Sequence, residues 1–182
     1  MAGKRKRSVH QPRHFRAPSV ATHGIHTPVR GIIHETISGN ATGRSDIIGV
    51  GAFWQRQGLG YGAHIGLDTE GNSGKYAGLG MITWHTGGRN TGSLGFELVG
   101  GKNMDRAAWW KLGRGRQLHQ MAKWMAFCNK EFGIPLRWDV ERGWSSHFMQ
   151  SKAFGTTDHT DAEFLPKKRL MLAAKCYRRL GW

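Results

Sequence analysis

Short strand-like runs fill the first hundred residues of this chain and amphipathic helices follow them, an order that leaves few folds open. Val29 to Glu35 is apolar in its middle and reads as a buried strand carrying His34 near its end. Tyr61 to Asp68 reads as a strand, Thr69 to Asn72 as a turn, and Lys75 to Thr83 as the pairing strand. Ser93 to Val99 alternates as a strand and places Glu97 within it. Leu118, Met121, Met125, Cys128 and Phe132 recur at steps of three and four, which describes one apolar helix face, and Gly133-Ile134-Pro135 ends that helix. Pro166 opens a last helix with Leu170, Ala173, Ala174, Tyr177 and Leu180 on one side. Its other side carries Lys167, Lys168, Arg169, Lys175, Arg178 and Arg179. The expected class is α/β, a central mixed β-sheet flanked by helices.

A chain of 182 residues suits one domain with a sizeable core. Residues 1–22 are basic and poor in apolar pattern, and are expected to form a flexible arm ahead of a domain spanning 23–182. Twenty-seven Lys and Arg against twelve Asp and Glu give a net charge of +15, which favours a polyanionic partner. Nucleic acid, anionic lipid and a wall rich in phosphate and carboxylate all qualify on charge, but no nucleic-acid motif is present. No apolar run approaches the roughly 20 residues that cross a bilayer, so no stable membrane insertion is expected. The basic Met1 to Arg7 is followed by Ser-Val-His-Gln-Pro, which does not read as a secretory leader. Cys128 and Cys176 lie far apart on apolar helix stripes and read as buried reduced thiols.

Two stretches stand out chemically. His34 ends a strand and can point into a cleft or sit satisfied in the core. Ser145-Ser146-His147 and Ala153 to Asp161 form a Gly/Ser/Thr-rich stretch, read as a loop, that offers His147, Asp158, His159 and Asp161 as metal ligands. Two histidines and a carboxylate with water in the fourth position is a familiar catalytic zinc arrangement. Capping of the last helix by Asp161 is the competing reading. His10, His14, His23 and His26 read as solvated, and His119 as a surface residue. The segment from Ser38 to Gly60 reads as a long loop with a helical turn near Asp46 to Trp54.

Several motifs then occur in order: Gly31-Ile32-Ile33-His34, Gly62-Ala63-His64-Ile65 with Asp68-Thr69-Glu70-Gly71, and Trp84-His85-Thr86-Gly87-Gly88. Asn90, Ser93 to Leu98, Ser146-His147 and Asp158-His159-Thr160-Asp161 complete the series. Together, over roughly residues 29 to 180, they resemble the type-2 N-acetylmuramoyl-L-alanine amidases, the zinc family shared by phage lysozyme-type amidases and peptidoglycan-recognition proteins. The resemblance implies a zinc cleft on one face of the sheet, with Zn2+ held by His34, His147 and Asp161. It implies Glu97 as the residue that handles the proton of the attacking water. It puts His159 where relatives use a cationic lysine to steady the oxyanion. Tyr61, His64, Trp84, His85 and Asn90 would contact substrate, although Trp84 also suits plain packing beside the sheet. Departures are Ala63 in place of a tyrosine found in some phage relatives and Ala162-Glu163 in place of a Pro-Gly pair.

The implied activity is hydrolysis of the bond between N-acetylmuramic acid and L-alanine in peptidoglycan, as a phage endolysin. The alternative is a non-catalytic peptidoglycan-recognition protein. The enzyme would be made in the host cytoplasm, act at the wall as a monomer, and use its basic arm to meet anionic wall polymers.

Overall fold

The computed structural model describes residues 11–36, 44–58, 62–100, 114–155 and 157–182. Six strands form one sheet: β1 (Phe15–Arg16), β2 (Arg30–Thr36), β3 (Ile65–Leu67), β4 (Ser73–Lys75), β5 (Ser93–Val99) and β6 (Trp144–Ser146). The strand order is β1-β4-β3-β5-β2-β6, and all neighbours run parallel except the antiparallel β3–β4 pair. Among the described residues four helices accompany them: α1 (Arg44–Gln57), α2 (Gly115–Phe132), α3 (His147–Phe154) and α4 (Lys167–Arg179). The mixed sheet with flanking helices is the class expected from the order of elements.

Period-two alternation in β5 divides the sheet into two environments. Leu94, Phe96 and Leu98 join Ile33, Ile65 and Leu67 in a core shared with Leu118, Met121, Trp124, Met125 and Cys128 of α2 and with Leu170 and Met171 of α4. Gly133, at φ 72°, closes α2 where the sequence predicts its end. The opposite face carries His34 and Glu97, which are direct partners in the β2–β5 register. There α1 packs against β4 and the end of β5, where Ile47, Tyr76, Ala17, Val20 and Val99 form a smaller core. The β5-β2-β6 side is left for a cleft.

Several local expectations change. Residues 44–57 form a full helix where the sequence reads as a loop with one turn. Glycines lower its helix signal, yet Gly51 lets the helix come close: a Cβ there would stand 2.8 Å from the Tyr76 ring. The pairing strand ends at Lys75, since β4 meets β3 over three residues only. Beyond it, the backbone of Tyr76, Gly80 and Ile82 bonds to Val20, His26 and His23 instead. The Gly/Ser/Thr-rich stretch begins as strand β6 and helix α3, because Ser146 Oγ caps the helix by accepting from Met149 N at 3.2 Å. Both cysteines are free, but Cys176 is exposed and only Cys128 is buried. Leu180, expected on the apolar side of α4, is 76% exposed.

The expected arm also departs in part. Residues 1–10 lie outside the described residues, whereas Phe15 and Arg16 pair with β4 and Ala17 and Val20 are buried. A chain lacking residues 1–22 should therefore melt lower than the full chain. Exposure of a buried Val20-sized side chain costs about 2 kcal/mol, or roughly 4–8 °C in a domain of this size. Equal melting temperatures would show that β1 and its neighbours add nothing to the fold.

Candidate metal centre and cleft

Each ligand candidate owes its place to the sheet. His34 sits near the carboxyl end of β2, and Ser146 of β6 pairs with Ile33, so His147 follows at the adjacent strand end. Ligand sites gather at the carboxyl ends of parallel strands for this reason. Asp161 arrives from the segment before α4 and is pinned there by the backbone. Its Oδ2 accepts from Glu35 N at 3.3 Å, its carbonyl accepts from Phe148 N at 3.1 Å, and Ala162 N donates to Glu35 Oε2 at 3.2 Å. Ala162 takes a positive φ of 61°, sparsely populated for a residue with a Cβ, and is fully buried. That turn stands where the family resemblance leads one to expect Pro-Gly.

The three side chains converge. His34 Nδ1 lies 3.1 Å from His147 Nδ1 and 3.5 Å from Asp161 Oδ2, and His147 Nδ1 lies 3.0 Å from Asp161 Oδ1. The three ligand atoms fall within 4.8 Å of one another, and all three residues are buried. Despite that closeness, Asp161 Oδ1 receives no well-aligned hydrogen bond, as expected of lone pairs aimed at a shared point. Burial first, and then His147, pushes the His34 imidazole down to about 4, which leaves it neutral near pH 7. Burial works to raise the Asp161 carboxyl, but the two imidazoles beside it hold it well below the usual carboxylate range. Two imidazoles and one carboxylate are a zinc donor set.

A cleft of about 720 Å³ opens over this cluster. Its described lining includes Glu35, Glu97 and Asp161 but neither lysine nor arginine, although the chain carries a net charge of +15. Such an acidic hollow suits a divalent cation. Glu97 is 6% exposed, and its carboxyl is pushed well above the ordinary range by burial, then by Asp161 and Glu35. His159 stacks on His147 with ring centres 4.6 Å apart and holds its Nδ1 3.7 Å from Asp161 Oδ1. It is a half-exposed neighbour of the cluster. On the other side of His147, Nε2 lies 3.4 Å from Thr157 Oγ1.

The expected substrate contacts divide. Trp84, His85 and Asn90 line the cleft, and Trp84 is 43% exposed with His23 stacked on it at 4.0 Å. His23 and the half-buried His26, which accepts from Gly92 N at 2.7 Å, thus have specific partners where solvated side chains are expected. Tyr61 lies outside the described residues. His64 is a correction: it is fully buried, its Nδ1 accepts from Gly95 N at 2.9 Å, and its Nε2 donates to Met81 O at 2.8 Å. With both nitrogens committed, it ties β5 to the 76–82 segment and does not reach the cleft. Glu35 and Thr157 also line the cleft, and sequence reasoning missed both. A charged residue beside His34 at a strand end was the available signal for Glu35.

His64 gives a pH prediction. Burial pushes it down to about 4 from an unfolded value near 6.5, so the unfolded chain binds the extra proton between those limits. Stability conferred by neutral His64 is present above about 6.5 and is lost as pH falls towards about 4. His64→Asn, which keeps an acceptor for Gly95 N, should show a shallower decline in denaturant unfolding across that range. An unchanged decline would assign the pH sensitivity to other groups.

Comparison with known proteins follows the geometry. Residues 26–163 match the family described as N-acetylmuramoyl-L-alanine amidase. No curated protein sequence matches. Among solved structures, the Staphylococcus aureus hydrolase AmiA in complex with its ligand is similar at a TM-score of 0.69 and 16% identity, covering 95% of this chain and 90% of that one. The endolysin N-acetylmuramoyl-L-alanine amidase LysCS from Clostridium intestinale gives 0.63 and 14%, with 92% and 99% covered. Drosophila peptidoglycan recognition protein SD gives 0.59 and 15%, with 83% and 85% covered.

Proposed function

The chain belongs to the N-acetylmuramoyl-L-alanine amidase family, and from that premise we propose that it hydrolyses the amide between N-acetylmuramic acid and L-alanine of peptidoglycan with one zinc ion held by His34, His147 and Asp161. The observation that carries the reading is the buried convergence of those three ligand atoms at the floor of the cleft. Zinc bound there would polarise the amide carbonyl and bring a water towards ionisation near neutral pH. Glu97 takes the proton of the attacking water and returns it to the leaving alanine nitrogen. His159 donates a hydrogen bond to the oxygen that gains charge during attack. Trp84, partly exposed in the lining of the cleft, offers aromatic surface to the glycan or stem peptide. Retention of a complete donor set together with Glu97 supports hydrolysis over recognition alone.

The finer role proposed is that of a phage endolysin, made in the host cytoplasm and acting as a monomer at the wall. The net charge of +15 supports attraction to anionic wall polymers, with Lys4, Arg5, Lys6 and Arg7 concentrated at the start of the chain. Among the described residues, no helix is long and apolar enough to cross a membrane.

Digestion of purified wall decides the bond. The reading predicts new amino-terminal alanine, no new reducing sugar ends, and no release in the presence of chelator. Reducing ends without alanine would assign a glycosidase, and wall binding without either product would assign a recognition protein.

A further inference from the structure

We propose that His85 and Ser93 act as positioning residues that fix the tautomer of His34, so that its Nδ1 lone pair faces His147 and Asp161. The inference rests on the metal-centre reading above and assigns His85 a role other than substrate contact.

The direction of the hydrogen bonds follows from a single hydroxyl proton. Ser93 Oγ lies 2.8 Å from both Arg89 O and Asn90 O, and 3.0 Å from His85 Nε2. Carbonyl oxygens only accept, so the Ser93 proton points towards them and the hydroxyl lone pair faces His85. His85 Nε2 therefore carries the hydrogen. A neutral ring protonated there has its lone pair on Nδ1, which lies 3.0 Å from His34 Nε2. His34 Nε2 must then donate, and His34 Nδ1 is left bare. That Nδ1 is the atom 3.1 Å from His147 Nδ1 and 3.5 Å from Asp161 Oδ2. The reverse tautomer would put a hydrogen into the centre of the donor set.

The bracket that holds His85 is built into the chain. Asn90 Oδ1 accepts from both His85 N and Thr86 N at 2.9 Å, closing the turn between Trp84 and β5. The ring lies against Gly95, where a Cβ would stand 2.7 Å from His85 Cγ, so only glycine leaves room for it. Ser93 opens β5, the strand that also carries Glu97 in register with His34. One face of one strand thus supplies both Ser93, which anchors His85, and Glu97, the carboxylate of the cleft. Outer partners that orient a ligating histidine are worth about 10–100-fold in metal affinity.

The test measures zinc affinity by chelator competition and unfolding of the metal-free protein, in wild type, His85→Leu, His85→Asn and Ser93→Ala. His85→Leu should weaken zinc binding about 10–100-fold. Ser93→Ala should weaken it less, in the same direction. His85→Asn, whose Oδ1 can accept from His34 Nε2, should recover most of the loss while sharing the packing defect of a smaller side chain. Nitrogen-15 spectra of the histidine rings should report the Nε2–H form of His34 in metal-free wild type and a mixture in His85→Leu. Wild-type zinc affinity in His85→Leu, or equal losses in the Leu and Asn variants, would overturn the relay alone. A wild type that binds no zinc would overturn the metal centre and the relay with it.

Discussion

Glu97→Gln should fold and bind zinc as the wild type does, yet hydrolyse peptidoglycan about 10²–10⁴-fold more slowly, the usual scale of general-base effects. The substitution keeps the shape of the side chain and removes its capacity to take a proton. Glu97 is buried on β5, opposite His34 in the strand register, and lies in the cleft without belonging to the donor group. Burial, with Asp161 and Glu35 next in weight, pushes its carboxyl well above the ordinary range, the direction that makes a carboxylate a stronger base. A structural strand residue would respond differently, with lower stability and unchanged turnover per folded molecule. Near-normal turnover in Glu97→Gln would remove Glu97 from the reaction.

The second large effect separates two residues one position short of adjacent. Asp161→Ala should lose zinc by more than the roughly 10–100-fold that an outer partner costs, because it removes the only anionic ligand of the set. His159→Ala should keep zinc and lose about 10²–10³-fold in rate, the usual consequence of removing one oxyanion donor. Geometry supports the division. Asp161 is 4% exposed and places an oxygen near each ligand imidazole, whereas His159 is half exposed and stacks on His147 from outside. His159→Lys should retain activity, since a lysine can place its ammonium donor in the same space. Zinc lost in His159→Ala and kept in Asp161→Ala would exchange the two roles.

The residues alone offered His34 and four further candidates between His147 and Asp161, and it was the resemblance carried by short ordered motifs that singled out His34, His147, Asp161 and Glu97; the structure brings the first three together at one point. The support around them was not legible in the sequence. Glu35 meets Ala162 across 127 positions, and nothing local in either segment announces that contact. His64 and His85 lie in similar motifs with their rings 5.7 Å apart, yet one is committed to Gly95 N and Met81 O while the other backs His34, a difference that only the long-range partners decide. Helix α1 was hidden by its glycines, of which Gly51 permits close approach to Tyr76. Residues 15–20 read as part of a basic arm because their partners, Gly74 to Tyr76, are nearly sixty residues away, as in the Phe15–Gly74 pair.

The most direct measurement of the central claim is metal content taken together with alanine release on the same protein samples. One zinc per chain should copurify with the wild type, leave with chelator as activity disappears, and restore activity on return. His34→Ala and His147→Ala should fold, purify with little or no zinc, and release no amino-terminal alanine from wall. A metal-free wild type that releases alanine at its full rate would contradict the account.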